Sequence, residues 1–364
     1  MSDQSPHTFV IAEAGVNHNG SVDRALELIR VAAAAGADAI KFQTFKADRI
    51  ASASAPKADY QSRNTGGEGG QIAMLKALEL SDQDHHRLAA LCEELGVEFM
   101  STPFDEQSAT FLANDIGVTR LKVGSGELTN APLLVHLART GKPVILSTGM
   151  ATLDEVQTAL GVLAYGYTEP SADPVSTTAF TGAYDSDEGL AALRKNVMLL
   201  HCTSDYPAAA ETINLKAMDA LRDAFGLPVG LSDHSQGIAI PSAAVARGAA
   251  TIEKHFTLDR SLEGPDHAAS LEPDELSAMI AAIRDVEVAL GSGAKEPAEA
   301  EQQTASVARK SLVALTDIAA GAPFTADNLG VKRPGTGVSP LELWSYLGQP
   351  AARAYQHDEL IESQ

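Results

Sequence analysis

The sequence predicts an α/β protein built as a (β/α)8 TIM barrel, followed by a small, mostly-β C-terminal domain. Three observations carry this. Eight short apolar runs, starting near residues 9, 39, 98, 120, 143, 197, 228 and 251, alternate with stretches of helical period. The runs end in polar or titratable residues, as buried parallel strands do where their C-terminal ends open into a site. The first run is not followed by a G-x-G-x-x-G turn, which an open doubly wound sheet, the nearest alternative, would favour.

The first strand reads FVIAEAG (9–15). The loop VNHNGS leads into a helix that Ser21 can cap, with Ala25, Leu26, Leu28, Ile29, Val31 and Ala32 at helical spacing. AIKFQTF (39–45) is the second strand. Residues 46–80 form a long polar excursion, and a loop of that length in a compact domain is more often functional than idle. A helix at 82–96 leads to the strand EFMSTPF (98–104), a helix near 106–115, the strand RLKVGSGE (120–127) and a helix at 131–141. PVILSTGM (143–150) and its helix at 152–166 follow. Residues 167–190 have many turn formers and no clear period, and read as a surface insertion. The rhythm resumes with VMLLHCT (197–203), a helix at 215–226, PVGLSDH (228–234), a helical segment, TIEKHFT (251–257) and a last helix at 272–291. The barrel is thus assigned to 1–290, a polar Ala/Glu-rich linker to 291–305, and the small domain to 306–364, where short apolar runs are broken by AAG, TAD and PGTG turns.

The formal net charge is −21 and no basic tract appears, which argues against nucleic-acid binding. An anionic substrate must find a local cluster of cations. The N-terminus lacks a charged n-region and an apolar h-region, and no run is long enough to span a membrane. The two cysteines, Cys92 and Cys202, are read as buried reduced thiols, and the protein is placed in the cytoplasm.

In a TIM barrel the site lies at the C-terminal strand ends. Those ends supply Glu13 with Asn17, His18 and Asn19; Lys41 with Gln43; Ser101 and Thr102; Lys122 with Ser125 and Glu127; Ser147 and Thr148; Thr203, Ser204 and Tyr206; Ser232, Asp233 and His234; and Glu253, Lys254 and His255. Singly, each has a structural explanation: a serine or threonine caps the next helix, a histidine is satisfied in the core, and Lys254 turns outward. Together they describe a pocket. Adjacent parallel strand ends lie about 5 Å apart, so His234 and His255 can reach one divalent ion, flanked by Asp233, Glu253, Lys254 and Asp266. Lysine heads with hydroxyls and helix-start N–H groups suit a phosphate. Glu13 beside that phosphate suits a general base or a water-orienting group.

In this order, the motifs IAEAGVNHNGS, KFQTFKAD, APKADYQ, STPFDE, KVGSGE, ILSTGM, LHCTSDYP, GLSDHS, IEKHFTLDRSLEGPDHAASLEP and VKRPGTGVSP resemble the sialic acid (nonulosonate) synthase family along nearly the whole chain. The resemblance implies a barrel joined to an antifreeze-like (SAF) domain, and condensation of phosphoenolpyruvate with an N-acetylated mannosamine-type sugar. It implies metal ligation by His234 and His255 and phosphoenolpyruvate contacts at Lys41, Thr102, Lys122, Ser125, Ser147, Ser204 and Ser232. It further implies Glu13 as the essential carboxylate and sugar contacts at Gln43, Tyr206, Asp266 and Arg333. The metal is Mn²⁺ or Mg²⁺, with imidazole ligation favouring Mn²⁺. Arg333 is expected to enter the other subunit's barrel in a domain-swapped homodimer. Ser204 stands where some members carry asparagine, and the insertion at 167–190 is longer than usual. The first expectation is N-acetylneuraminate synthesis from N-acetylmannosamine. The alternative is N,N'-diacetyllegionaminate synthesis from 2,4-diacetamido-2,4,6-trideoxymannose. A metal-dependent aldolase and a carbohydrate- or ice-binding non-enzyme are the more distant readings.

Overall fold

Eight parallel strands form one sheet in a computed structural model of the chain, which describes residues 7–52, 55–57, 59–64, 70–174 and 176–363. The strands are β1 (Phe9–Gly15), β2 (Ala39–Thr44), β3 (Glu98–Pro103), β4 (Leu121–Val123), β5 (Val144–Ser147), β6 (Val197–Cys202), β7 (Val229–Asp233) and β8 (Thr251–His255). They hydrogen-bond in the order β3-β2-β1-β8-β7-β6-β5-β4, and β3 and β4, the ends of that order, also pack together. Because β1 pairs with both β2 and β8, the first and last strands are neighbours, as barrel closure requires. The start of the N-terminal stretch (1–6), parts of the 46–80 excursion and residue 175 of the insertion lie outside the described residues.

Side-chain alternation divides the barrel into layers. Ile11, Ala39, Met100, Ile145 and Leu200 form a small core of their own. Two residues further along the same strands stand Glu13, Lys41, Thr102, Ser147 and Cys202, all lining one cavity. The apolar cluster is the floor and the polar set lies on it. The opposite strand faces pack against the helices in the main core, with Val10, Ile40, Leu121, Leu146 and Ile252 fully buried.

Local signals explain the helices. Ser21 accepts from the Arg24 N–H, and Gly36 ends that helix in the left-handed region at φ 82°. Ser81 and Asp84 form a capping box for the helix Asp82–Leu95, as Thr152 and Glu155 do for Leu153–Thr168. The helix expected near 106–115 begins as an α-helix at Glu106–Thr110 and continues as a π-helical turn at Phe111–Ile116.

Three expectations change. The 46–80 excursion carries short helices at Ala47–Ile50, Asp59–Asn64 and Gln71–Leu78. The insertion also carries helices, at Thr178–Tyr184 and Asp187–Asn196. Its anchor is Phe180, whose ring meets Tyr165 edge to face at 5.6 Å. A Cβ on Gly161 would stand 2.7 Å from the Phe180 carbonyl oxygen, so that glycine lets the insertion approach. The segment 291–305 is not linker throughout: Glu299–Ala308 is a helix, with the Glu301 carboxylate accepting from the Ala298 N–H at 2.8 Å and no side chain buried.

The chain divides into the units Met1–Gly291 and Ser292–Gln364. The second has an antiparallel ladder of β9 (Ser311–Ala314) and β10 (Leu329–Lys332). Isolated bridges such as Ile318–Tyr355 extend it, around a core of Leu312, Ile318, Phe324, Leu329, Tyr355 and Ile361. Cys92 and Cys202 are free and buried, and burial pushes the Cys92 thiol up to about 12. Among the described residues no helix is long and apolar enough to cross a membrane.

Candidate active site

Strand register sets the first row of the site. Glu13 on β1 stands opposite Lys41 on β2 and opposite His255 on β8. The Lys41 Nζ lies 2.6 Å from Glu13 Oε2 and 3.7 Å from Glu253 Oε2, and it donates to Thr102 Oγ1 at 3.1 Å. Across the barrel, the Lys122 Nζ donates to Ser147 Oγ at 2.7 Å and lies 3.5 Å from Glu253 Oε1. Ser232 Oγ donates to the same Glu253 oxygen at 2.7 Å. Two lysines and two glutamates thus share one buried space, with hydroxyls around them.

Burial raises Glu13 to about 7, partly offset by Lys41. Burial also opposes ionisation of Glu253, but Lys122, Lys41 and the Ser232 hydrogen bond hold its carboxyl down at about 2. Burial works against the charge on Lys41, yet Glu13 and Glu253 keep its pKa above the usual lysine value. Lys122 is lowered, chiefly by burial. The two carboxyls are therefore driven apart: Glu253 is a fixed counter-ion, and Glu13 is poised to exchange a proton near neutrality.

A second group gathers at the ends of β4 to β6. Ser125 Oγ lies 3.0 Å from Cys202 Sγ and accepts from the Gly149 N–H at 3.0 Å. A Cβ at Gly149 would come within 2.5 Å of Ser204 Oγ and 2.8 Å of Ser125 Oγ, so only glycine lets these groups converge. A third group surrounds Gly15, where φ is 51°. A Cβ there would meet Glu13 Oε1 at 3.2 Å, Gln43 Nε2 at 3.5 Å and Asp266 Oδ2 at 3.6 Å. Burial raises Asp266 to about 6.

His234 and His255 face each other, with ring centroids 5.4 Å apart, and Tyr206 lies over the His234 ring at 4.1 Å. Burial pushes both imidazoles below the ordinary histidine range, so both are neutral. His234 Nδ1 sits 2.7 Å from the Thr203 carbonyl. It is therefore the N–H, and Nε2 keeps its lone pair. His255 Nδ1 is buried without a hydrogen-bond partner, 3.9 Å from Asp266 Oδ2. His234 Nε2, 3.3 Å from the Ser232 hydroxyl that donates to Glu253, and the unpartnered His255 Nδ1 are two neutral imidazole nitrogens that fit a divalent ion. No cluster of three histidine, cysteine, aspartate or glutamate side chains suited to a metal occurs among the described residues. An ion here would complete its shell from water or substrate.

The cavity has a volume of about 620 Å³. It gathers Glu13, Lys41, Gln43, Thr102, Lys122, Ser125, Ser147, Ser204, Tyr206, Ser232, His234, His255 and Asp266. Arg333 lies in the second unit, exposed, directly after β10. Asp233 and Lys254, expected to flank the histidines, do not line it. They are cross-strand partners on the other face of β7 and β8, ion-paired at 2.6 Å and completely screened from solvent. Period-two alternation decides this, since Ser232 and Glu253 take the inward positions. Glu253, expected only to flank the histidines, shares an inward face with His255 and lies beside both Lys41 and Lys122. Sequence reasoning missed Cys202, two residues beyond inward Leu200. The lining residues Ile50, Gln61, Gln71 and Leu75 come from the excursion, where no period points to them.

Comparison with known proteins agrees with this architecture. The NeuB family model matches residues 28–295, and the SAF domain model matches residues 309–362. The chain is 46% identical over 340 residues to the N,N'-diacetyllegionaminic acid synthase of Legionella pneumophila, covering 93% of this chain and 89% of that protein. It is 45% identical over 354 residues to the enzyme of the same name from Campylobacter jejuni, covering 97% and 98%. The crystal structure of the sialic acid synthetase from Leptospira borgpetersenii superposes with a TM-score of 0.65 at 34% identity, covering 82% of this chain and 90% of that one. A barrel with this polar layer, followed in sequence by an SAF domain and matched nearly end to end, places the chain in the NeuB family.

Proposed function

We propose that the chain condenses phosphoenolpyruvate, an open-chain N-acetylated mannosamine-type sugar and water into a nine-carbon 2-keto sugar acid and phosphate. We further propose that the sugar is 2,4-diacetamido-2,4,6-trideoxymannose and the product N,N'-diacetyllegionaminate. The observation that carries the condensation is one cavity lined by Lys41, Lys122, several hydroxyls and the poised carboxyl of Glu13, with Lys41 against Glu13 and Lys122 against Ser147. The sugar revises the first expectation from sequence, N-acetylneuraminate. Relatives named for legionaminic acid match at 45–46% identity, against 34% for the sialic acid synthetase.

In this reading Lys41, Lys122 and the hydroxyls of Thr102, Ser125, Ser147, Ser204 and Ser232 hold the phosphate and carboxylate of phosphoenolpyruvate. That binding aims its C3 at the aldehyde carbon of the sugar, which Gln43, Tyr206 and Asp266 orient. As the new carbon–carbon bond forms, the π pair of the aldehyde moves to its oxygen, which takes up a proton from solvent to become a hydroxyl, while positive charge develops at C2 and water adds there. Glu13 takes the proton of that water. The adduct then collapses with cleavage of the bond between C2 and the phosphate oxygen. A divalent ion bound by His234 and His255, Mn²⁺ rather than Mg²⁺, would polarise the aldehyde as a Lewis acid. Arg333 of a second copy closes the sugar side of the pocket in a two-fold dimer.

The test is phosphate release from phosphoenolpyruvate with each sugar and Mn²⁺ present. The expected kcat/KM for the diacetamido sugar exceeds that for N-acetylmannosamine by about tenfold or more. The reverse order restores the sialic acid reading. Release that does not depend on either sugar defeats the condensation.

A further inference from the structure

The upper part of the cavity differs chemically from the polar layer beneath it. β2 and β3 run side by side, with Gln43 opposite Thr102. Successive same-face positions on a strand climb by roughly 6.6 Å. On β2 and the residue after it they read Lys41, Gln43, Phe45; on β3 and the residue after it, Thr102 and Phe104. Lysine, amide and hydroxyl thus give way to two aromatic rings, which meet edge to face at 6.0 Å. The excursion after β2 returns over these rings. Ile50 and Leu75 pack with Phe45 and Phe104 in a hydrophobic cluster separate from the barrel core, and all four line the cavity. Gln61 and Gln71, from the same excursion, line it too. Among the described residues, the excursion adds apolar and amide side chains to this wall but no charged one.

A sugar hydroxyl pressed against Ile50, Leu75 and the two rings loses its water without gaining a partner, which disfavours it. A methyl group gains there, and a secondary amide can pair with glutamine. We propose that this roof is the subsite that selects the sugar. It takes the C6 methyl and the C4 acetamido methyl of a 2,4-diacetamido-6-deoxy sugar, and Gln61 and Gln71 address the C4 amide. The assignment rests on the condensation proposed above and adds the residues that choose among its sugars. It also accounts for the long 46–80 excursion, since the barrel strands supply the reacting chemistry while the excursion reads the far end of the substrate.

The test uses the full-length protein, the single substitutions Ile50→Asn and Leu75→Asn, and three sugars: the diacetamido-trideoxy sugar, N-acetylmannosamine and 6-deoxy-N-acetylmannosamine. Wild type is expected to favour the 6-deoxy compound over N-acetylmannosamine by about tenfold, the scale on which a hydrophobic pocket discriminates one such group. Each substitution is expected to cut the kcat/KM ratio of diacetamido sugar to N-acetylmannosamine by about tenfold, with the KM for phosphoenolpyruvate within about twofold of wild type as evidence of a folded site. The wild-type comparison stands even where a variant folds poorly. Unchanged ratios in both variants, or equal use of the two N-acetylmannosamines by wild type, overturn the subsite and leave the condensation standing. Condensation with none of the three sugars overturns the underlying reading, and the subsite with it.

Discussion

Replacing Glu13 by glutamine is expected to lower kcat by about 100-fold or more, with little change in the KM for phosphoenolpyruvate. The amide keeps the shape of the side chain and can still accept a hydrogen bond from Lys41, which sits 2.6 Å from the carboxylate. What it loses is the ability to take a proton, and burial has tuned that ability to a pKa of about 7. Normal turnover at saturation with weakened phosphoenolpyruvate binding would make Glu13 a positioning residue instead. The same variant tests assembly. Mixed with Arg333→Ala, and with sites shared between two copies, heterodimers carry one doubly damaged and one intact site. Random pairing then restores about a quarter of wild-type activity. No recovery, with subunit exchange shown separately, would mean that Arg333 serves its own chain.

Removing either imidazole has the other large expected effect. His234→Ala and His255→Ala are each expected to abolish activity and to abolish Mn²⁺ binding measured directly by calorimetry, while the barrel stays folded. Neither ring belongs to the apolar cores, and His234 is held by the Thr203 carbonyl, the Ser232 hydroxyl and the face of Tyr206. Activity within about threefold of wild type in both variants, less than the loss of one well-placed interaction, would sink the metal assignment. Chelation of the wild-type protein should reproduce the loss, and added Mn²⁺ should reverse it.

The parts of the fold that sequence revealed are those governed by local periodicity. Apolar runs such as FVIAEAG and TIEKHFT carry titratable residues at their C-terminal ends, which marks buried strands opening into a site and points to Glu13 and His255. Period-two alternation along these strands would have kept Glu253 in the pocket and dismissed Asp233 and Lys254. Residues fixed by long-range contact were not readable. Ile50 and Leu75 join the cavity because they pack on Phe45 and Phe104, and nothing in the excursion's own order announces that. The insertion hid its helices for a similar reason. Among the described residues of Thr178–Tyr184 only Phe180 is buried, so no helical stripe forms, and the permissive residue, Gly161, lies in a different helix. The helix Glu299–Ala308 buries no side chain at all and so leaves no apolar period against its linker-like composition.

The most direct measurement follows the oxygen. In the proposed reaction water adds at C2 of the former enolpyruvate, and the bond between that carbon and the phosphate oxygen breaks. With phosphoenolpyruvate, the diacetamido sugar and Mn²⁺ in ¹⁸O-labelled water, phosphate should appear only when the sugar is present, in step with a nine-carbon keto acid, and should carry no label from the solvent. Phosphate released without the sugar would contradict the condensation, and phosphate carrying ¹⁸O from the water would place the attack at phosphorus and contradict this chemistry.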